Sequence, residues 1–144
     1  MTGKAFIDVA NELAAGASEA HWRSATSRAY YAAYHVAKEA LEQAGIRIPA
    51  GPSGHEHVKR CLDNSQDYHL ETAGNKLGVL RSNRIRADYR LASISFLRVE
   101  AQFDVAQADV VIRNIEESPL RTGDSAHVAE VIEEYLRKTN QWRG

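Results

Sequence analysis

The chain is short of residues that impose covalent architecture or special chemistry. It has one cysteine, Cys61, among 144 residues, so no intramolecular disulfide can form, which fits a reducing compartment. Only three prolines interrupt it, which leaves long stretches open to helix. No apolar run approaches the roughly 20 residues that cross a bilayer. Met1 to Leu13 lacks a basic start followed by an apolar core, so no secretory signal is read there. Charge of a single sign is missing too: the formal net charge is -1, and no global field recruits nucleic acid or an anionic membrane. There is no internal repeat and no low-complexity segment. These absences predict a soluble, cytoplasmic protein without membrane contact.

What is present is ordinary globular material, 44% hydrophobic and 26% charged, enough for one domain with a real core. Of the 18 basic residues 13 are arginine, whose planar fork suits phosphate or carboxylate equally. The apolar spacing predicts five to six helices and no strand, an all-α up-and-down bundle over residues 1–138 with a flexible tail at 139–144. A first helix runs from Thr2, its cap, to Ala15, with Phe6, Val9, Ala10 and Leu13 on one face. A long second one, Ser18 to Ala44, carries Ala25, Ala29, Ala33 and Ala40 as a seam for close helix approach. A Gly/Pro loop follows, and then Ser53 and Glu56 form a capping-box pattern for a short helix. The fourth runs from Tyr68 to Tyr89, and Gly74 and Gly78 each weaken it by about 1 kcal/mol relative to alanine. The fifth, Ser95 to Glu117, has Leu97, Ala101, Val105, Ala108, Ile112 and Ile115 as its buried stripe. Pro119 ends that run, and Asp124 caps a last helix bearing Val128, Val131, Ile132 and Tyr135.

Two segments carry more polar chemistry than a plain bundle needs. In Arg84-Ile85-Arg86-Ala87-Asp88-Tyr89, Arg84 and Asp88 are four apart and share a helix face, with Arg81 beside them. This is either a surface ion pair or an anion site in which Arg81, Arg84 and Arg86 hold a phosphate and Asp88 orients an arginine. In the second segment, Arg28, Tyr31 and His35 fall on one face, with Tyr30 and Tyr34 as a stripe beside it. Such a stripe is usually packing with hydroxyls at its rim. Arg, Tyr and His together could also hold phosphate or stack a base.

In this order, separated by a Gly/Pro loop, the segments resemble the HEPN family of helical domains. Ser27-Arg28-Ala29-Tyr30-Tyr31-Ala32-Ala33-Tyr34-His35-Val36-Ala37-Lys38 is similar to the family's first long helix. Gly54-His55-Glu56-His57-Val58 is similar to its short helix, and Leu80 to Tyr89 to the segment ending in Arg, two residues, Ala-Asp-Tyr. The resemblance spans roughly Ser18 to Glu117. It implies a bundle of four to five helices that dimerises. Many members are metal-independent ribonucleases serving as toxins or phage-defence effectors, some paired with a small nucleotidyltransferase antitoxin. In the nuclease members an Arg, followed four to six residues later by His, stabilises phosphate while the His moves a proton.

This chain departs from that pattern where it matters most. The position matching the histidine after Arg84 is Tyr89, and the window from Arg81 ends at Asp88. An unperturbed tyrosine is a poor general base near neutral pH. The resemblance thus implies Arg84, Asp88 and Tyr89 as the catalytic set, with Arg81, Arg86, Arg28, Tyr31 and His35 as substrate contacts. In some partnered members a tyrosine near the motif receives a nucleotide, and Tyr89 holds that position. The alternative is a helical dimer without catalysis that binds a nucleotidyltransferase or a nucleotide. His55-Glu56-His57 with Cys61 is not a metal pattern, because histidines at i and i+2 point to different sides of a helix; no metal or other cofactor is expected.

Overall fold

The computed structural model describes residues 3–90 and 96–142. Seven helices and no strand occur among them: α1 (Gly3–Ala14), α2 (Glu19–Gln43), α3 (Ser53–Asp63), α4 (Tyr68–Tyr89), α5 (Arg98–Glu117), α6 (Pro119–Thr122) and α7 (Ser125–Trp142). The all-α expectation holds, with more helices than the five to six foreseen. The additional element is α6, a single turn in which Pro119 takes the first helical position. Proline is suited there because its φ is already helical and its missing N–H would have no partner anyway. α7 is helical through Trp142, past the expected end of regular structure at Lys138. The proposed cap Thr2 and the expected fifth-helix start at Ser95 lie outside the described residues.

α2 is the centre of the bundle and packs against α1, α3, α4, α5 and α6. Its alanine seam explains this. Ala25, Ala29, Ala33 and Ala40 are all buried, with Ala32 and Ala37 beside them. The short side chains let the neighbouring backbones come close. α3 and α4 are brought together by a different device. A Cβ on Gly74 would run into Leu62 and Asp63, and one on Gly78 would meet Lys59 at 2.8 Å. Gly74, which weakens α4 as an isolated helix, therefore permits its packing, whereas at Gly78 the near atoms belong to the flexible end of the Lys59 side chain.

Two local expectations are corrected, and a buried carboxylate is added to the core. Ser53 is the first residue of α3 rather than its cap; Pro52 holds the cap position and no side chain bonds to the helix start. Leu97 is not in the buried stripe: it precedes α5 in extended conformation and is 53% exposed. Asp104 lies inside the bundle, where its two carboxylate oxygens accept from the Thr26 hydroxyl at 2.8 Å and the Asn83 amide at 2.9 Å. Burial pushes its carboxyl above the usual range, and these two donors work against that shift. Asp104 thus ties α2, α4 and α5 together.

Candidate functional site

The site forms where α2, the start of α3 and the last turns of α4 meet. α4 reaches it as a capped helix. Asp67 accepts the Leu70 amide at 3.0 Å at the N-terminus. At the other end the buried Arg23 of α2 donates to the carbonyls of Ala87 at 2.8 Å and Arg86 at 3.3 Å. The Arg86 carbonyl also accepts the Arg90 amide at 3.2 Å, and the Arg23 guanidinium adds charged donors to this last turn and complements the helix dipole. Glu19 lies 3.4 Å from Arg23 and accepts the Phe96 amide at 2.6 Å. The turn bearing Arg84, Asp88 and Tyr89 is therefore clamped from outside its own sequence.

Arg84 sits on the inner side of that turn, its side chain 17% exposed. One terminal nitrogen donates to the Tyr31 hydroxyl at 2.6 Å, and its Nε lies 3.0 Å from Asp88 Oδ2. The Nε–H is not aimed at that oxygen, so this contact is an ion pair rather than an aligned hydrogen bond. Asp88 in turn accepts from the Ser27 hydroxyl at 3.3 Å. The guanidinium carbon lies 5.0 Å from the Tyr31 ring centre and 5.8 Å from that of Tyr89, close enough to both for cation–π attraction. One turn earlier, Arg81 pairs with Glu56 of α3 at 3.5 Å.

The residues missing from the sequence expectation are His55, Tyr30 and Tyr34. The buried Tyr30 hydroxyl is 2.5 Å from His55 Nδ1, and the His55 ring stacks on Tyr34 at 4.2 Å between centres. Gly54 makes this approach possible, because a Cβ there would lie 2.5 Å from the Pro49 carbonyl oxygen and 2.8 Å from the Tyr34 hydroxyl. Tyr31 links the two halves, with its ring 6.2 Å from that of His55 and its hydroxyl on Arg84. Burial, and then the charges of Arg81 and Arg84, hold the His55 imidazole below its ordinary value, so it is neutral near pH 7. Burial likewise pushes the Tyr30 hydroxyl well above the ordinary tyrosine range, which keeps it a hydrogen-bond donor.

Of the residues expected to act together, Arg84 contacts Asp88, Tyr31 and Tyr89, with Arg81 one turn away. His35 is exposed, stacks on Phe6 at 5.8 Å and lies 6.2 Å from Tyr31, with no direct contact to Arg84. Arg28 is exposed, and its side chain pairs with no described residue. Arg86 is drawn elsewhere: it donates to Glu100 at 2.8 Å and lies over Phe96. A groove of about 820 Å³ lies between α1, α2 and α5 and includes none of these residues. Cys61 is buried, its thiol pushed up to about 12 by burial, so it supplies no nucleophile.

No described helix is long and apolar enough to cross a membrane. Comparison with curated proteins gave no match, and neither did comparison with solved structures. The family model of the HEPN domain matches residues 2–118, which takes in α1 to α5 and the whole of the site. Ribonuclease or nucleotide-related chemistry is the general class that this match suggests. By this match over most of its length, and with the all-α architecture that accompanies it, the chain belongs to the HEPN domain family.

Proposed function

We propose that this HEPN domain, of the Ala-Asp-Tyr branch, acts on RNA as a metal-independent ribonuclease. In this reading it is the toxin-like or defence component of a two-gene system in the cytoplasm. The observation that carries the reading is the state of Arg84. Its guanidinium is partly buried, oriented by Asp88 and Tyr31, and leaves the other terminal nitrogen without a partner among the described residues. A cation held this way, with little freedom to lose, suits an in-line phosphate whose charge grows in the transition state. Arg81 assists it. Tyr89, 71% exposed, flanks the guanidinium. The reading includes a homodimer, for which α4 and α5 offer exposed apolar residues along shared grooves: Val79, Val99 and Phe103. The test is RNA integrity after incubation with the purified protein in EDTA. Wild type should cleave and Arg84→Ala should not, with unchanged helical circular dichroism; intact RNA with both would remove the nuclease reading.

A second reading is favoured by Tyr89 standing where nuclease members have histidine, together with its exposure. In it the dimer is a binding module whose Tyr89 is met, and modified, by a small nucleotidyltransferase antitoxin. Co-purification of a stable complex, together with intact RNA, supports this reading over the first.

A further inference from the structure

We propose that His55 is a ligand-binding residue of this same site, donating its Nε2–H to an oxyanion held between it and the Arg81 and Arg84 guanidiniums, with Tyr30 fixing the tautomer. The proposal rests on the reading of Arg84 as a phosphate-holding residue, and adds a third donor from a different helix.

The argument is a donor-and-acceptor account. Tyr30 is 1% exposed, and its hydroxyl meets only one polar atom among the described residues, Nδ1 of His55. A buried phenol proton without an acceptor is costly, so the arrangement that satisfies it has Tyr30 donating and Nδ1 accepting. A neutral imidazole has one proton, which must then be on Nε2. That nitrogen pairs with no described residue, and it is not among the buried polar atoms that lack partners, so it is not sealed from solvent. Stacking on Tyr34 at 4.2 Å, and on Tyr30 at 5.6 Å, fixes the plane of the ring. The usual general-base histidine is the reverse case, with Nδ1–H held by an acceptor and Nε2 bare. Here the geometry disfavours a base and provides a donor.

The surrounding charges agree. Arg81, Arg84, Lys38 and His35 all bear on His55. Against them stand Glu56, paired with Arg81, and Asp88, paired with Arg84. An arriving phosphate competes with Glu56 for Arg81, and the Glu56 side chain is 55% exposed and free to yield. A neutral donor near the two guanidiniums adds a directed hydrogen bond without adding a third positive charge to the unliganded site.

The experiment is a long-range ¹H–¹⁵N spectrum of the full chain labelled at histidine and arginine nitrogens, titrated with inorganic phosphate at constant ionic strength. His55 signals are identified from the spectrum of His55→Gln. The free protein should show His55 protonated at Nε2 and bare at Nδ1, and phosphate should move both the Nε2 signal and that of Arg84 Nε. The double variant Tyr30→Phe/His55→Phe keeps the ring stack and leaves no orphaned hydroxyl. It should bind phosphate about tenfold more weakly on the Arg84 signal, the scale expected for losing one hydrogen bond to a charged group. A proton on Nδ1 in the free protein, or phosphate moving Arg84 while leaving His55 in place, overturns the proposal and leaves the proposed function standing. Phosphate moving neither overturns both. Movement of both, with RNA left intact, supports the oxyanion site and removes only the nuclease.

Discussion

His35, His55 and His57 share one circumstance: burial acts against the charged form of each, and nearby cations act in the same direction. The fold therefore prefers them neutral, whereas the unfolded chain takes up their protons near the ordinary value of 6.5. With folded values lowered, their contribution to stability is present above pH 6.5 and is lost as pH falls through the folded values. Asp104 works in the opposite sense and at more acid pH, because its folded value is raised. The urea midpoint should thus fall between pH 7.5 and pH 5.5, and His55→Gln should flatten part of that fall. A midpoint constant over this range would mean that the three imidazoles titrate alike in both states. None of this is visible along the chain. His55 and Tyr30 are 25 positions apart, and nothing local in either segment announces the other. The one signal was the i, i+2 spacing of His55 and His57, which already required that the two face different neighbours.

α4 shows what can and cannot be read at the level of an element. Its bounds, Tyr68 to Tyr89, agree with the sequence expectation because the signals are local: Asp67 caps the start, and an apolar spacing follows. How the helix ends was not legible, since the side chain that donates to its last carbonyls is Arg23, more than 60 residues earlier. The Arg84–Asp88 pair was legible from spacing alone, whereas its closure by Tyr31 and Ser27 required the placement of α2. Arg86 makes the same point in reverse: two residues from Arg84 in sequence, it is turned toward Glu100 of α5. The cap at Arg23 has a measurable consequence. Arg23→Ala should destabilise the protein by about 1–3 kcal/mol, as expected when buried carbonyls lose charged donors. It should also raise amide exchange in the last turn of α4 well above that in its middle. Uniform exchange along the helix would show that Arg23 does not hold this end.

At the scale of the whole molecule, the exposed apolar residues are unevenly spread. Val79 of α4 and Phe103 of adjacent α5 line one groove, and Val99 lines a second beside Phe103, whereas Ile85 and Tyr89 are turned away from Val79 around α4. The proposed homodimer would cover these grooves. Sedimentation equilibrium should find wild type dimeric and Phe103→Glu, which puts a charge into the seam, shifted toward monomer; wild type monomeric at all concentrations would exclude this arrangement. The fold class was legible because helical spacing is repeated in nearly every segment, and α6 escaped notice because one turn is too short to show a period. The family match ends at residue 118, so α6 and α7 lie beyond it and the candidate site within it. α2 gathers the consequences. This single helix of 25 residues, about 38 Å long at 1.5 Å per residue, carries the clamp on α4 at Arg23, the partner of Arg84 at Tyr31 and the anchor of His55 at Tyr30. In mechanical terms these parts are mounted on one beam rather than on separate arms. Their mutual alignment has the tolerance of a helix, and any bend in α2 is felt by all of them together.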